Sequence, residues 1–229
     1  MRTGDLLSGR RKFLDASSTC GLVNPVRYCR IGLQHPNVKQ NKQNFKQKQE
    51  LNFDNRKICY VCDSRQPYDQ YNNTRSHRIE NIVNGGKTDS KKWWQSETNK
   101  DDVYIQFELE NEFLLSYIYM KFKGFRPQIM FIEKSSDYGL TWKPISFYAE
   151  NCNAAYPGVN KSVGRQSTLG VATCKEHVPK GDPNTDGLLF HRLIDKGIDL
   201  YAPENLNALK ITNVRFNFTK LVSSFKELH

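Results

Sequence analysis

The chain contains no apolar run approaching the ~18 to 20 residues that a helix needs to cross a bilayer, so no membrane insertion is expected. It also lacks an H-E-x-x-H zinc signature, a G-x-S-x-G nucleophile elbow and a glycine-rich phosphate loop, each of which sets ligands or donors at a fixed spacing. Their absence removes the most legible routes to hydrolytic and nucleotide chemistry. Acidic residues are in deficit, with 24 Asp and Glu against 34 Lys and Arg and a formal net charge of +10. An excess of that size attracts polyanions such as sulfated glycosaminoglycan, nucleic acid or anionic lipid. No apolar stretch precedes Arg10, Arg11 and Lys12, so no secretory leader is visible and the start reads as truncated.

The basic excess is concentrated. Lys39, Lys42, Lys46, Lys48, Arg56 and Lys57 lie close together with only Glu50 and Asp54 to oppose them. Residues 34–55, QHPNVKQNKQNFKQKQELNFDN, hold too few apolar side chains to offset the entropy of ordering. They are expected to form a disordered surface insertion within a single domain spanning 1–229. A charge held in one loop makes nucleic acid an unexpected partner.

The six cysteines Cys20, Cys29, Cys59, Cys62, Cys152 and Cys174 are an even set, as a disulfide framework requires, and large disulfide-bearing domains are mostly extracellular. Three glycosylation sequons, at Asn72, Asn160 and Asn217, point the same way. Cys59 and Cys62 have the spacing of a zinc half-site or a redox pair, but no second half-site and no βαβ pattern accompany them. Disulfides to other cysteines are the expected state. Cys152 and Cys174 flank one loop, which predicts that they pair.

Val103, Ile105, Phe107 and Leu109 alternate with polar residues, the period-two pattern of a strand with one buried face, and Ile118, Met120 and Phe122 repeat it. Met130–Ile132 and Ile145–Tyr148 read as a hairpin turning at Ser136-Asp137-Tyr138-Gly139. Leu209 and Ile211 differ in parity from Val214, Phe216 and Phe218, so a bulge near Thr212-Asn213 is needed to keep all five inward. Short strands and little helical periodicity predict an all-β sandwich.

Ser135 to Trp142 matches the Asp-box pattern S-x-D-x-G-x-T-W found in sialidase blade hairpins, where it is a structural turn. A propeller needs several similar blades, and the chain has one copy. His35, His77, His177, His191 and His229 show no metal-ligand spacing and no nucleophile beside them, so each is expected to be solvated or satisfied in the core and no catalysis is expected. Of the adjacent Trp93 and Trp94, one ring is expected in the core, because neighbours on a strand face opposite ways.

Several runs occur in the order found in laminin N-terminal (LN) domains. They are Thr3 to Leu7, Ser18-Thr19-Cys20-Gly21-Leu22, Tyr28-Cys29, Cys59-Tyr60-Val61-Cys62-Asp63-Ser64, Ser76-His77-Arg78-Ile79-Glu80-Asn81, Trp93-Trp94-Gln95-Ser96-Glu97, Phe125-Arg126-Pro127 and Leu209-Lys210-Ile211-Thr212-Asn213. The chain resembles the β subunits of that family. The resemblance implies a jelly-roll β-sandwich, galactose-binding-like, with long loops and disulfides. The end after Leu221 implies that the family's closing strand is missing. It further implies a secreted, non-catalytic domain of the extracellular matrix and basement membrane. The implied partners are laminin α and γ short-arm N-terminal domains, met in a calcium-dependent ternary node.

Contacts are implied at Ser17, Ser18, Thr19, Gly21, Ser76, His77, Arg78, Glu80 and Asn81. Some relatives hold calcium with an Asp where this chain has Asn81. No bound ion and no cofactor are therefore expected in this domain, although the network needs calcium. Heparan sulfate is the rival partner, suggested by the basic balance.

Overall fold

The computed structural model describes residues 13–32, 56–83, 91–124, 126–162, 169–177, 187–194 and 199–221. The insertion expected at 34–55 and the residues after Leu221 lie outside them. Ten strands appear among the described residues: β1 Leu14–Ala16, β2 Val26–Gly32, β3 Arg56–Cys62, β4 Val103–Leu114, β5 Tyr117–Phe122, β6 Ile129–Ser135, β7 Lys143–Ala149, β8 Thr173–Glu176, β9 Gly187–Arg192 and β10 Lys210–Lys220. Two short helices, α1 Cys152–Ala155 and α2 Pro203–Leu209, and a 3₁₀ turn at Ile79–Ile82 join them.

The alternation in β4 produces what it predicts. Val103, Ile105, Phe107 and Leu109 are buried, while Tyr104 and Gln106 are half-buried and Glu108 is exposed. β4 pairs antiparallel with β10 along most of its length, and β10 pairs antiparallel with β6 on its other side. The full sheet runs β1-β4-β10-β6-β7-β8. Its apolar face carries Val103, Ile105, Phe107, Met130, Ile132, Val214, Phe216 and Phe218, and these share one core with Ile118 and Leu189. Those last two belong to the two-stranded β5–β9 ribbon, which forms the second layer. Burying each large side chain stabilises the fold by roughly 1.5–3 kcal/mol, so this interior supplies the main cohesion of an all-β sandwich.

β10 needs two parities to keep its apolar residues inward, and the register shift against β4 falls between Ile211 and Asn213. Leu209, Ile211, Val214, Phe216 and Phe218 are all buried. Leu209 reaches the core from the last turn of α2 rather than from a strand. The sequence shows no helical stripe there because α2 is barely two turns long. It begins on Pro203, whose missing N–H is harmless at a helix start. At its end, Lys134 Nζ donates to the carbonyls of Asn207, Ala208 and Lys210.

The hairpin β6–β7 turns on the Asp-box residues. Gly139 N and Asp137 N donate to Ser135 Oγ, which itself donates to Asp137 Oδ1 at 2.6 Å. Thr141 donates to Asp137 through both its backbone N and its Oγ1. Trp142 Nε1 closes on Gly139 O, and Tyr138 N donates to Thr212 Oγ1 of β10. These bonds hold the Asp137 carboxyl at about 2, well below its ordinary value. Every polar group named here serves the turn, so the motif works as architecture. Past β7 the chain crosses over through α1 to the parallel strand β8, and the Cys152–Cys174 disulfide ties the crossover shut.

Candidate functional site

One end of the molecule is built on different terms. β2 and β3 pair as a ribbon outside the large sheet, with Cys29 directly opposite Cys59. Those two cysteines are bonded, and Cys62 at the end of β3 is bonded to Cys20. The Cys59-x-x-Cys62 spacing therefore serves two separate bridges, since neighbours three apart on a strand face opposite ways. No cysteine is left free.

The Cys20–Cys62 bond brings the two segments implied as contacts, 17–22 and 76–81, into one frame. Ser64 N donates to Gly21 O at 2.9 Å, and Ser64 Oγ accepts from His77 N at 3.0 Å. The Trp93–Gln95 stretch lies between the segments as a splint. Cys20 N donates to Gln95 O, and Gln95 N donates to His77 O. Asn81 Nδ2 donates to Ser76 O and Trp93 O, and Trp94 Nε1 donates to Ser18 O and Thr19 Oγ1. Ser18 Oγ accepts from Glu97 N and donates to Glu97 Oε2. Gly21 has φ +67°, and a Cβ there would stand 2.5 Å from Cys62 O, so only glycine fits this crossing.

Aromatic stacking stiffens the same frame. The cross-strand pair Tyr28 and Tyr60 stack at 5.7 Å, Tyr28 meets His77 edge-on at 6.0 Å, and His77 stacks on Trp93 at 4.0 Å. Lys123 Nζ sits 4.9 Å from the Trp93 ring centre on the far side. His77 is 2% exposed. Burial, reinforced by the Lys123 charge, pulls its pKa down to about 4, so it is neutral at physiological pH. Its Nε2 lies 3.4 Å from Tyr28 Oη, while its Nδ1 and the Ser76 Oγ are buried without a hydrogen-bond partner. Trp94 packs toward the sandwich core, its ring 6.0 Å from Phe218. The two tryptophans do sit on different surroundings, but in an irregular stretch rather than a strand.

Of the residues implied as contacts, Ser18, Thr19, Gly21, Ser76, His77 and Asn81 are buried and bonded into this frame; Arg78 and Glu80 are half-buried and Ser17 is exposed. The two segments come together as the resemblance implies, yet most of their side chains hold the frame from within. Among the polar side chains that the frame shows to solvent, several apolar ones are also exposed. Leu22 is 46% exposed, Val23 83% and Tyr71 85%, and Val61 and Tyr60 are exposed on the ribbon. Leu22 closes the first implied segment, whereas sequence reasoning did not single out Val23, Tyr60, Val61 or Tyr71 as contacts. The signal was the Gly21 crossing, which turns the Leu22-Val23 pair outward.

Asn81, in the place where relatives carry an acidic ligand, points its amide nitrogen at two carbonyls and so faces them as a donor. Among the described residues no group of three or more His, Cys, Asp or Glu is placed to hold a metal ion. At this position the described side chain turns an amide donor, not a carboxylate, to its neighbours. Asn72 and Asn160 are exposed, whereas Asn217 is half-buried in β10 and donates to Glu133 Oε1 at 3.0 Å. No helix among the described residues is long and apolar enough to cross a membrane.

The laminin N-terminal (domain VI) family model matches residues 1–229. A laminin subunit β-4 of Danio rerio is 36% identical over 224 residues, which is 96% of this chain and 11% of that protein. Human laminin subunit β-1 is 37% identical over 223 residues, again 96% of this chain and 11% of the subunit. Mouse netrin-4 is 33% identical over 131 residues, 56% of this chain and 20% of netrin-4. The chain thus spans about a ninth of the length of the β subunits it matches. With a family match from end to end and the disulfide-clamped frame carrying its most specific runs, the chain belongs to the laminin N-terminal (domain VI) family.

Proposed function

We propose that this domain is the tip of a laminin β short arm, secreted into the extracellular matrix of basement membranes, where it associates with α and γ short-arm N-terminal domains in a calcium-dependent node. The observation that carries the reading is the clamped frame with its exposed apolar rim. Leu22, Val23 and Val61 are held outward on a scaffold fixed by two disulfides and the Trp93–Gln95 splint. Preorganised apolar anchors of this kind lose little conformational entropy on docking. The half-buried Arg78 and Glu80 of the second segment carry charge that can select among unlike partners. Because Asn81 turns its amide donor to Ser76 O and Trp93 O, the proposal assigns the ion to a partner domain.

Size-exclusion chromatography of the secreted domain with purified α and γ short arms, in calcium and in chelator, tests this. A ternary peak in calcium that is lost in chelator is expected. A monodisperse domain that never joins either arm would sink the proposal.

A second reading, an anionic glycan such as heparan sulfate, is favoured by the outer face of β5–β9. Tyr117, Tyr119, Phe190 and Leu188 are exposed there beside Lys121 and Arg192. Cation and ring side by side suit a sulfated sugar. Elution from immobilised heparin at lower salt after Lys121→Ser with Arg192→Ser supports it; unchanged elution removes this face from consideration.

A further inference from the structure

The three sequons are equal in sequence and unequal in structure. Asn72 lies at the tip of the loop 69–73, closed by a bridge between Asp69 and Asn73. Asp69 Oδ1 accepts from Tyr71 N and Asn72 N, each at 2.8 Å, which fixes the turn. Asn73 Nδ2 donates to the carbonyls of Asp63, Gln66 and Pro67 and pins the loop to its base. Asp63 N in turn donates to Arg75 O, one residue from the Ser64–His77 contact of the frame. The tip is thus tied to its base and through Asp63 to the frame, presenting Tyr71 and Asn72 to solvent.

Asn217 differs in every respect. It sits in the middle of the large sheet, opposite Tyr104 on one side and Phe131 on the other, with its amide on Glu133 and its sequon hydroxyl, Thr219 Oγ1, donating to Ile129 O. A sugar there would have to displace the flanking strands' side chains.

We infer that Asn72 carries an N-linked oligosaccharide that shields Tyr71 and bounds the association face on that side, leaving Leu22, Val23 and Val61 as its contact surface, whereas Asn217 stays unmodified. The transfer forms a bond from Asn72 Nδ2 to the anomeric carbon of the oligosaccharide. It breaks that carbon's bond to a lipid diphosphate donor, which departs as the leaving group, and one amide proton passes to a base of the transferase. The amide keeps one N–H, enough to retain its bond to Asp69 Oδ1. The boundary rests on the association proposed above; occupancy and shielding do not.

The test uses the full chain secreted from eukaryotic cells. Glycopeptide mapping is expected to find sugar on Asn72 and none on Asn217; bare Asn72 or occupied Asn217 would overturn the inference. Hydroxyl-radical footprinting of Tyr71 should run several-fold slower in the glycosylated chain than in Thr74→Ala, which removes the sequon without touching the asparagine, and in Asn72→Gln. Equal rates refute the shield. In the co-elution assay, Tyr71→Ser in the glycosylated chain should leave ternary assembly unchanged while Val23→Ser weakens it several-fold; loss with Tyr71→Ser refutes the boundary. If no form of the chain joins the short arms, the association reading falls, and mapping and footprinting still decide the glycan.

Discussion

The sandwich and the ribbon end are held together by different physics. In the sandwich, Met130, Ile132, Ile211 and Phe218 are packed from all sides by other apolar groups, so cohesion is spread over many replaceable contacts. At the ribbon end the fully buried residues include Ser64, Ser76, His77 and Asn81, joined by two disulfides and a few directed hydrogen bonds. Area is forgiving of single changes, and directed bonds are not. The ribbon end trades tolerance for a fixed geometry, which suits the association surface proposed for it.

Breaking the Cys20–Cys62 bond with Cys20→Ser and Cys62→Ser should have the largest effect. The bond spans 42 residues, but the Cys29–Cys59 bond nested inside it shortens the loop it closes to about 14 residues, which constrains the unfolded chain by about 3 kcal/mol. Hydrogen exchange should accelerate at residues 63–81 well before it does in β4 or β10, and secretion should fall. Uniform acceleration would show that the two regions unfold as one. The counterpart in the sandwich is Ile132→Ala, which opens a cavity and lowers stability by about 2–5 kcal/mol. There, chemical denaturation should shift as a single transition for every probe.

Acid sharpens the comparison, because each region buries one neutral histidine. Burial brings both His77 and His191 down to about 4. The unfolded chain, with histidines near their ordinary value, binds more protons between that value and about 4. Stability therefore rises with pH across this window and is lost as pH falls from about 6.5 toward 4. Urea melts at pH 7.4 and pH 5 are expected to show lower stability at pH 5. His77→Gln should flatten the response read at Trp93, and His191→Phe the response read in the sandwich. Smallest in stability is Leu22→Ser with Val23→Ser, which should change folding by less than ~0.5 kcal/mol yet weaken association with the short arms several-fold. A large loss of stability would mean that these side chains are not the free rim.

Sequence exposed the sandwich more fully than the ribbon end, for a physical reason. Val103, Ile105, Phe107 and Leu109 alternate because one face of β4 is dry and the other is not, and the parity change in β10 announces its bulge between Ile211 and Asn213. The Asp-box residues read as a turn and are one. Strand order was hidden, since β4 and β10 pair at a separation of 109 residues between Gln106 and Arg215, and nothing local encodes the parallel step from β7 to β8. At the ribbon end, polarity misled. Ser18, Ser76, His77 and Asn81 look like surface residues until their partners are seen, and those partners are mostly backbone groups distant in sequence. Hydrogen-bonding side chains without periodicity leave no trace that a sequence pattern can show.

The bond between Cys29 and Cys59 has a practical side. It closes the ribbon with the two strands directly opposite each other, so the register of β2 against β3 is fixed by a covalent bond. Lengthening the chain between them adds closure entropy only logarithmically. A tag inserted between Gly32 and Arg56 is therefore expected to leave the pairing of Cys29 with Cys59, and the packing of β4 on β10, unchanged.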